Sequence, residues 1–255
     1  MAHKDDYIAV FDSGVGGISV LRHLLKELPQ EKFLYFGDSI NAPYGVRTRQ
    51  EVEDLTMAAL EKLLPRGLKA FVIACNTAIA AAVEALRAKY PQLVIVGIEP
   101  AVKLAADRHP GGHIGVMATP GTLKSPRVLA LIDRFRGDCT IEMLPAPGLA
   151  DLVEANKQNG PEGEALLRPW LDPLVGKLDA LVLGCTHYPF AAKAISRVLG
   201  EEVRLLDGGD GTARETKRRL EQVDLLENGE GEVLIINSSD NEDICLLSRR
   251  LLEKS

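Results

Sequence analysis

Four short apolar runs occur twice in this chain, in the same order and at nearly constant spacing. Tyr7–Ser13 aligns with His113–Thr119 at an offset of 106 residues, and Lys32–Phe36 with Thr140–Leu144 at 108. The runs that end at Cys75 and at Cys185 are offset by 110, as are Leu93–Gly97 and Val203–Asp207. Ordered recurrence of this kind marks two copies of one supersecondary pattern. Each run is short, rich in Val, Ile and Leu, and bounded by polar or glycine residues, which reads as a buried strand. Helical spacing fills the intervals. Val20, Leu21, Leu24, Leu25 and Leu28 follow the turn Gly14-Val15-Gly16-Gly17, and Pro29 ends that run. Further helices are expected at about 48–64, 78–90, 125–136, 163–175 and 190–199. Alternating strands and helices imply parallel sheets covered on both faces.

The tail has no counterpart in the repeat. It predicts a helix at 212–226, a strand at Val233–Asn237 and a helix at Glu242–Glu253. The chain is therefore expected to leave its first half near Pro100, build the second, and return near Gly208. The resulting fold class is α/β: two pseudo-symmetric doubly wound domains, each with a mainly parallel central sheet flanked by helices. Residues 1–99 with 209–255 form the first domain and 100–208 the second, with the active site expected in the cleft between them.

With 30 basic and 36 acidic residues the net charge is −6, and no basic run is interleaved with aromatics. Nucleic acid is not an expected partner, because neutralising phosphates needs a cationic face. No apolar run is long enough for a membrane span, and the polar start Met1–Asp6 does not read as a secretory signal, so the expected location is the cytoplasm. The four cysteines at 75, 139, 185 and 245 form no Cys-x-x-Cys pair, and no metal site is expected.

Cys75 and Cys185 sit where strands of an open α/β sheet end, which is the edge where ligands bind. Two thiols serving one site is the requirement for proton transfer on both faces of a single carbon. Each is followed by hydroxyl or amide residues expected to begin a helix, and a helix N-terminus favours the thiolate. Cys139 and Cys245 read as small buried hydrophobes. His187 lies two residues beyond Cys185, and Asp12 ends the strand expected beside that of Cys75; each is a candidate proton-handling partner. The glycine turn fits neither a dinucleotide fingerprint nor a P-loop, and reads instead as a place where backbone approaches a small anion such as a carboxylate. Pro43-Tyr44-Gly45 and Thr119-Pro120-Gly121-Thr122 fall at strand ends too.

With these residues in view, the chain resembles the cofactor-independent glutamate racemases of bacteria. The resemblance rests on Phe11-Asp12-Ser13-Gly14-Val15-Gly16-Gly17, Gly37-Asp38-Ser39, Pro43-Tyr44-Gly45, Ala74-Cys75-Asn76-Thr77-Ala78, Gly97-Ile98-Glu99-Pro100, Thr119-Pro120-Gly121-Thr122 and Gly184-Cys185-Thr186-His187-Tyr188-Pro189. It implies interconversion of L- and D-glutamate without a cofactor, for peptidoglycan synthesis, in an enzyme that is commonly a homodimer. Residue by residue, it implies Cys75 and Cys185 as the two acid/base thiols, assisted by Asp12 and by His187, with Glu154 near the histidine. Ser13, Pro43, Tyr44, Gly45, Asn76, Thr77, Thr119, Thr122 and Thr186 would bind substrate together with Asp12, Cys75, Cys185 and His187. One position departs: the family's arginine two residues before Pro-Tyr-Gly is Asn41 here. Alternative readings are a related two-cysteine racemase or isomerase for another acidic substrate such as aspartate, and a non-catalytic small-anion binder.

Overall fold

The structure, a computed structural model, describes residues 2–253. It divides into two compact units, Met1–Ile98 with Gly209–Ser255, and Glu99–Gly208. The first contains the strands β1 (Tyr7–Asp12), β2 (Lys32–Gly37), β3 (Leu68–Ile73) and β4 (Val94–Gly97), with helices α1 (Ile18–Glu27), α2 (Arg49–Leu63) and α3 (Asn76–Lys89). The second unit begins with α4 (Val102–Arg108) and β5 (His113–Ala118), followed by α5 (Pro120–Leu123), α6 (Pro126–Asp133) and β6 (Thr140–Pro145). It continues through α7 (Leu149–Glu154), α8 (Pro161–Leu171), β7 (Ala180–Leu183), α9 (Ala192–Leu199) and β8 (Arg204–Leu206). The chain then returns to the first unit as α10 (Gly209–Gln222), β9 (Glu232–Asn237) and α11 (Glu242–Glu253).

Both sheets are parallel throughout, with strand orders β4-β3-β1-β2-β9 and β6-β5-β7-β8. Matched by the sequence offsets, the second order reversed is the first without β9. The correspondence extends to single bonds just past the strand ends: Ala74 N donates to Phe11 O and Gly184 N to Met117 O, while Asp38 N donates to Asp12 O and Ala146 N to Ala118 O. The unmatched tail strand β9 adds to the edge of the first sheet beside β2.

Strand periodicity explains how the second sheet buries both faces. Ile114, Val116 and Ala118 of β5, with Ala180 and Val182 of β7, pack with Val102 and Ala105 of α4 and Val128 and Ile132 of α6. The intervening Met117, Leu181 and Leu183 pack instead with Leu149, Leu167, Leu171 and Ile195 of α7, α8 and α9. Side chains that alternate along a strand thus reach two different helix layers. In the first unit every residue of β3 is buried.

Several predicted boundaries shift. The helix expected at 190–199 begins only at Ala192, after a 3-10 turn over Tyr188–Ala191, so Cys185 does not sit at an α-helix N-terminus as expected. The turn carries Pro189 in its first residues and tightens the chain before the α-helical ladder starts. The helix expected at 163–175 ends at Leu171 and gives way to a 3-10 turn containing Pro173. Helices α4, α5 and α7 were not anticipated. α7 has six residues, too few for apolar periodicity to register.

A buried ion pair joins the far end of the first sheet. Lys69 Nζ lies 2.5 Å from Glu31 Oε2, with side-chain exposures of 0% and 1%. Lys69 Nζ also donates to Lys4 O, and Glu31 Oε1 accepts from Glu227 N at 2.9 Å. The pair therefore ties the N-terminal segment and the returning tail to β2 and β3.

Candidate active site

In the first unit the C-terminal ends of three neighbouring strands bring the predicted residues together. β1 ends at Asp12, β2 at Gly37 just before Asp38, and β3 two residues before Cys75. Parallel register places Asp12 beside Gly37 and Phe11 beside Ile73. Cys75 Sγ is 3.5 Å from Ser13 Oγ, and both residues are buried. Cys75 is the N-cap residue of α3, whose first two positions are Asn76 and Thr77. The N–H groups at the start of a helix carry partial positive charge, which favours an anion at the thiol.

Asp12 is fully buried, and its Oδ1 accepts from Gly14 N at 3.1 Å. It does not cap α1, whose N-cap is Gly17 and receives no side-chain cap. The Gly14 amide is thus directed at Asp12, whereas the sequence suggested that the turn's amides face an external anion. Tyr35 OH donates to Gly14 O at 2.6 Å and pins the same turn from beneath. Gly17 has ordinary helical dihedrals, but a Cβ there would lie 2.6 Å from Asp12 Cβ. Glycine is required at this position for space.

The loop after β2 forms a second layer. Tyr44, 1% exposed, donates its hydroxyl to Asp38 Oδ2 at 2.7 Å. Asn41 Nδ2 lies 3.1 Å from both Asp38 oxygens, and Arg47 Nε donates to Asn41 O at 2.7 Å. Burial first, then the hydrogen bond to Asp38, pushes the Tyr44 hydroxyl well above the ordinary tyrosine range, with added repulsion from Asp38, Cys75 and Asp12. Tyr44 is consequently a permanent donor near neutral pH. Asn41 occupies the departing position with its amide committed to Asp38. Pro43 and Gly45 flank Tyr44 in this loop, with a cis peptide at Ala42–Pro43.

The second unit holds the other thiol. Cys185 Sγ is 3.7 Å from His187 Nδ1, and His187 Nε2 is 2.7 Å from Glu154 Oε1. His187 is 5% exposed and Glu154 stands at the last position of α7. The structure therefore joins thiol, imidazole and carboxylate in line, an arrangement in which the carboxylate orients the ring and the other ring nitrogen exchanges a proton with sulfur. Thr186, between them, is buried. At the end of β5, Thr119 caps α5: its Oγ1 accepts from Thr122 N at 3.2 Å and meets Thr122 Oγ1 at 2.9 Å.

Among the described residues, the Asn76 side-chain oxygen is buried with no hydrogen-bond partner. A buried acceptor without a donor is costly in isolation and suits a site that receives a donor from a ligand. No group of three or more His, Cys, Asp or Glu among the described residues is arranged to hold a metal ion. Asp38 was not singled out by its residue type, because its importance comes from the tertiary contacts of Tyr44 and Asn41. Tyr188 was visible only as part of a motif.

Residues 13–216 match the family described as Asp/Glu/Hydantoin racemase. The chain belongs to that family. Among relatives of this racemase-family chain, a glutamate racemase of Clostridium kluyveri is 47% identical over 258 residues, covering 100% of both chains. The crystal structure of a glutamate racemase isoform of Bacillus anthracis superposes with a TM-score of 0.87 at 31% identity, covering 98% of this chain and 95% of that one. An Escherichia coli glutamate racemase solved with L-glutamate and an activator gives a TM-score of 0.85 at 32% identity, covering 96% and 95%. An aspartate racemase of Picrophilus torridus is 12% identical with a TM-score of 0.55, a likeness of fold alone.

Proposed function

We propose that the protein is a glutamate racemase, an isomerase that interconverts L- and D-glutamate by cofactor-independent proton transfer at Cα. The observation that carries this reading is the pair of thiols at equivalent strand ends, Cys75 after β3 and Cys185 after β7, each with its own polar partners. In the proposed reaction one thiolate takes the α-proton, and the C–H electron pair stays on Cα, delocalised into the adjacent carboxylate. The opposite thiol then delivers a proton to the other face and becomes the thiolate. Reversal exchanges their roles, so a single machinery serves both directions.

Asp12 assists Cys75, and His187 with Glu154 assists Cys185. Ser13, Pro43, Tyr44, Gly45, Asn76, Thr77, Thr119, Thr122 and Thr186 bind the substrate. Donors preorganised around the developing carboxylate charge are the largest expected contribution to rate, because no metal or electron sink takes part. In this reading the enzyme works in the cytoplasm as a homodimer and supplies D-glutamate to peptidoglycan. No helix among the described residues is long and apolar enough to cross a membrane.

Polarimetry of purified protein with L-glutamate, L-aspartate and a hydantoin tests the assignment. Loss of rotation with glutamate alone supports it; turnover of aspartate or the hydantoin with glutamate untouched rejects it.

A further inference from the structure

Glu154 reaches His187 from a weak element. Helix α7 has six residues, follows an N-cap glycine, Gly148, in the left-handed region (φ 84°), and has no side-chain cap at its N-terminus. It ends in a tight reversal: Asn156 (φ 54°) donates its N–H to Val153 O, and Lys157 N donates to Leu152 O at 2.8 Å. Asparagine tolerates this left-handed position better than most residues. Such a short helix has little stability of its own, yet its last residue must meet the imidazole at hydrogen-bond distance.

Two side-chain clamps bracket α7, and both connect it to the segment that carries the thiol. Before the helix, Tyr188 OH donates to Ala146 O at 2.9 Å; Tyr188 is fully buried and adjoins His187 in sequence. After the helix, Asn159 Nδ2 donates to Phe190 O at 2.8 Å, and Asn159 Oδ1 accepts from Ala194 N at 3.1 Å. The span 146–159 is thus fastened at each end to the span 188–194. Leu149 and Val153 are buried on the inner side of α7, and Leu149 shares a core cluster with Ala146 and Tyr188.

We infer that Tyr188 and Asn159 are positioning residues that hold α7 so that Glu154 orients His187 toward Cys185. The inference rests on the reading of Cys185, His187 and Glu154 as the acid/base group for one face of Cα. Neither clamp residue need touch substrate. Loosening a clamp lets the carboxylate drift, the ring loses its fixed orientation, and proton transfer at Cys185 slows while transfer at Cys75 is untouched.

The test uses Tyr188→Phe and Asn159→Ala in the full-length protein, with Tyr90→Phe, in the other unit and hydrogen-bonded to Glu61, as a control. The first readout is the downfield proton resonance of the His187 Nε2–H bonded to Glu154, assigned by its loss in Glu154→Gln. It is expected in the parent and to weaken or move upfield in both clamp variants; an unchanged resonance in both overturns the inference whether or not glutamate is the substrate. The second is the α-deuterium isotope effect on kcat/KM for each glutamate isomer. A fall of about 10- to 100-fold in kcat/KM is expected for a misplacement of about 1 Å. The isotope effect should rise for the isomer whose proton Cys185 removes and decline for the other. Loss of activity with both isotope effects unchanged means only less folded protein, and overturns the positioning role. An inactive parent instead rejects the glutamate assignment, and the resonance still decides the clamp.

Discussion

Replacing Gly17 with alanine puts a methyl group where the turn after β1 has no room. The new Cβ would lie 2.6 Å from Asp12 Cβ and 3.1 Å from both Asp12 Cγ and a Tyr35 ring carbon. An ordinary contact begins at 3.4 Å, so the two atoms must separate by roughly 0.8 Å. Neither neighbour yields easily: Asp12 is tethered by Gly14 N, and Tyr35 is buried and fixed by its bond to Gly14 O. Overpacking of this kind costs about 1–3 kcal/mol of stability. A displacement of nearly 1 Å in a group that assists proton transfer costs on the order of 100-fold in kcat/KM. Urea denaturation followed by circular dichroism measures the first quantity and polarimetry with glutamate the second. Gly137→Ala, with nothing within 4 Å of its Cβ position, serves as the control and should change neither. If Gly17→Ala keeps parental kcat/KM while losing the expected stability, Asp12 is not positioned for catalysis by this turn, and its assistance to Cys75 must be abandoned.

Other perturbations probe separate parts of the account. Lys69→Met leaves Glu31 buried and unpaired and should cost about 3–5 kcal/mol in urea denaturation; adding Glu31→Gln, which keeps an acceptor for Glu227 N–H, should restore part of it, and a single variant within 1 kcal/mol of the parent would refute the pair's role. Tyr44 and Tyr188 both have hydroxyl pKa values raised above the ordinary 10.0, chiefly by burial. A raised folded-state pKa gives stability that is complete below pH 10 and is lost as pH climbs toward the folded value. In an alkaline titration at 295 nm Tyr44 and Tyr188 should therefore ionise only together with unfolding, tracked by the absorbance lost in Tyr44→Phe and Tyr188→Phe; their ionisation in folded protein would contradict the buried donor role. Asn41→Arg should leave kcat/KM within about threefold, because a guanidinium can also donate to the Asp38 carboxylate; a larger loss would show that Asn41 does more than hold that carboxylate.

Much of the fold was legible because the strands are buried and repeated. Tyr7–Asp12 and His113–Ala118, like Lys32–Gly37 and Thr140–Pro145, begin where their apolar runs begin. Burial on both faces makes the first three nearly continuous in apolar residues, so their limits are sharp, whereas Thr140–Pro145 is an edge strand with only Leu144 buried and was legible through the repeat. The return of the tail was visible because Val233–Asn237 lacked a counterpart, although its place beside β2 is a tertiary fact. Helix α7 was hidden by its length, and so was the means of holding Glu154, since Tyr188 and Asn159 act through backbone carbonyls and amides that leave no residue pattern. The line from Cys185 through His187 to Glu154 was anticipated by family resemblance, because residue spacing alone gives no reason for position 154 to meet position 187. The Asp12–Gly14 contact reversed an expectation: a glycine-rich turn after a strand suggests an anion from outside, and here the first anion it serves is the chain's own carboxylate.

The central claim is that two thiols act on opposite faces of one carbon. Proton NMR in deuterated water, starting from L-glutamate and stopped early in the reaction, tests it most directly. The account predicts that D-glutamate appears with deuterium at Cα while the remaining L-glutamate keeps its proton. Solvent deuterium entering L-glutamate as fast as D-glutamate forms, or D-glutamate retaining the original α-proton, would mean that one exchanging group serves both faces and would contradict the two-thiol mechanism.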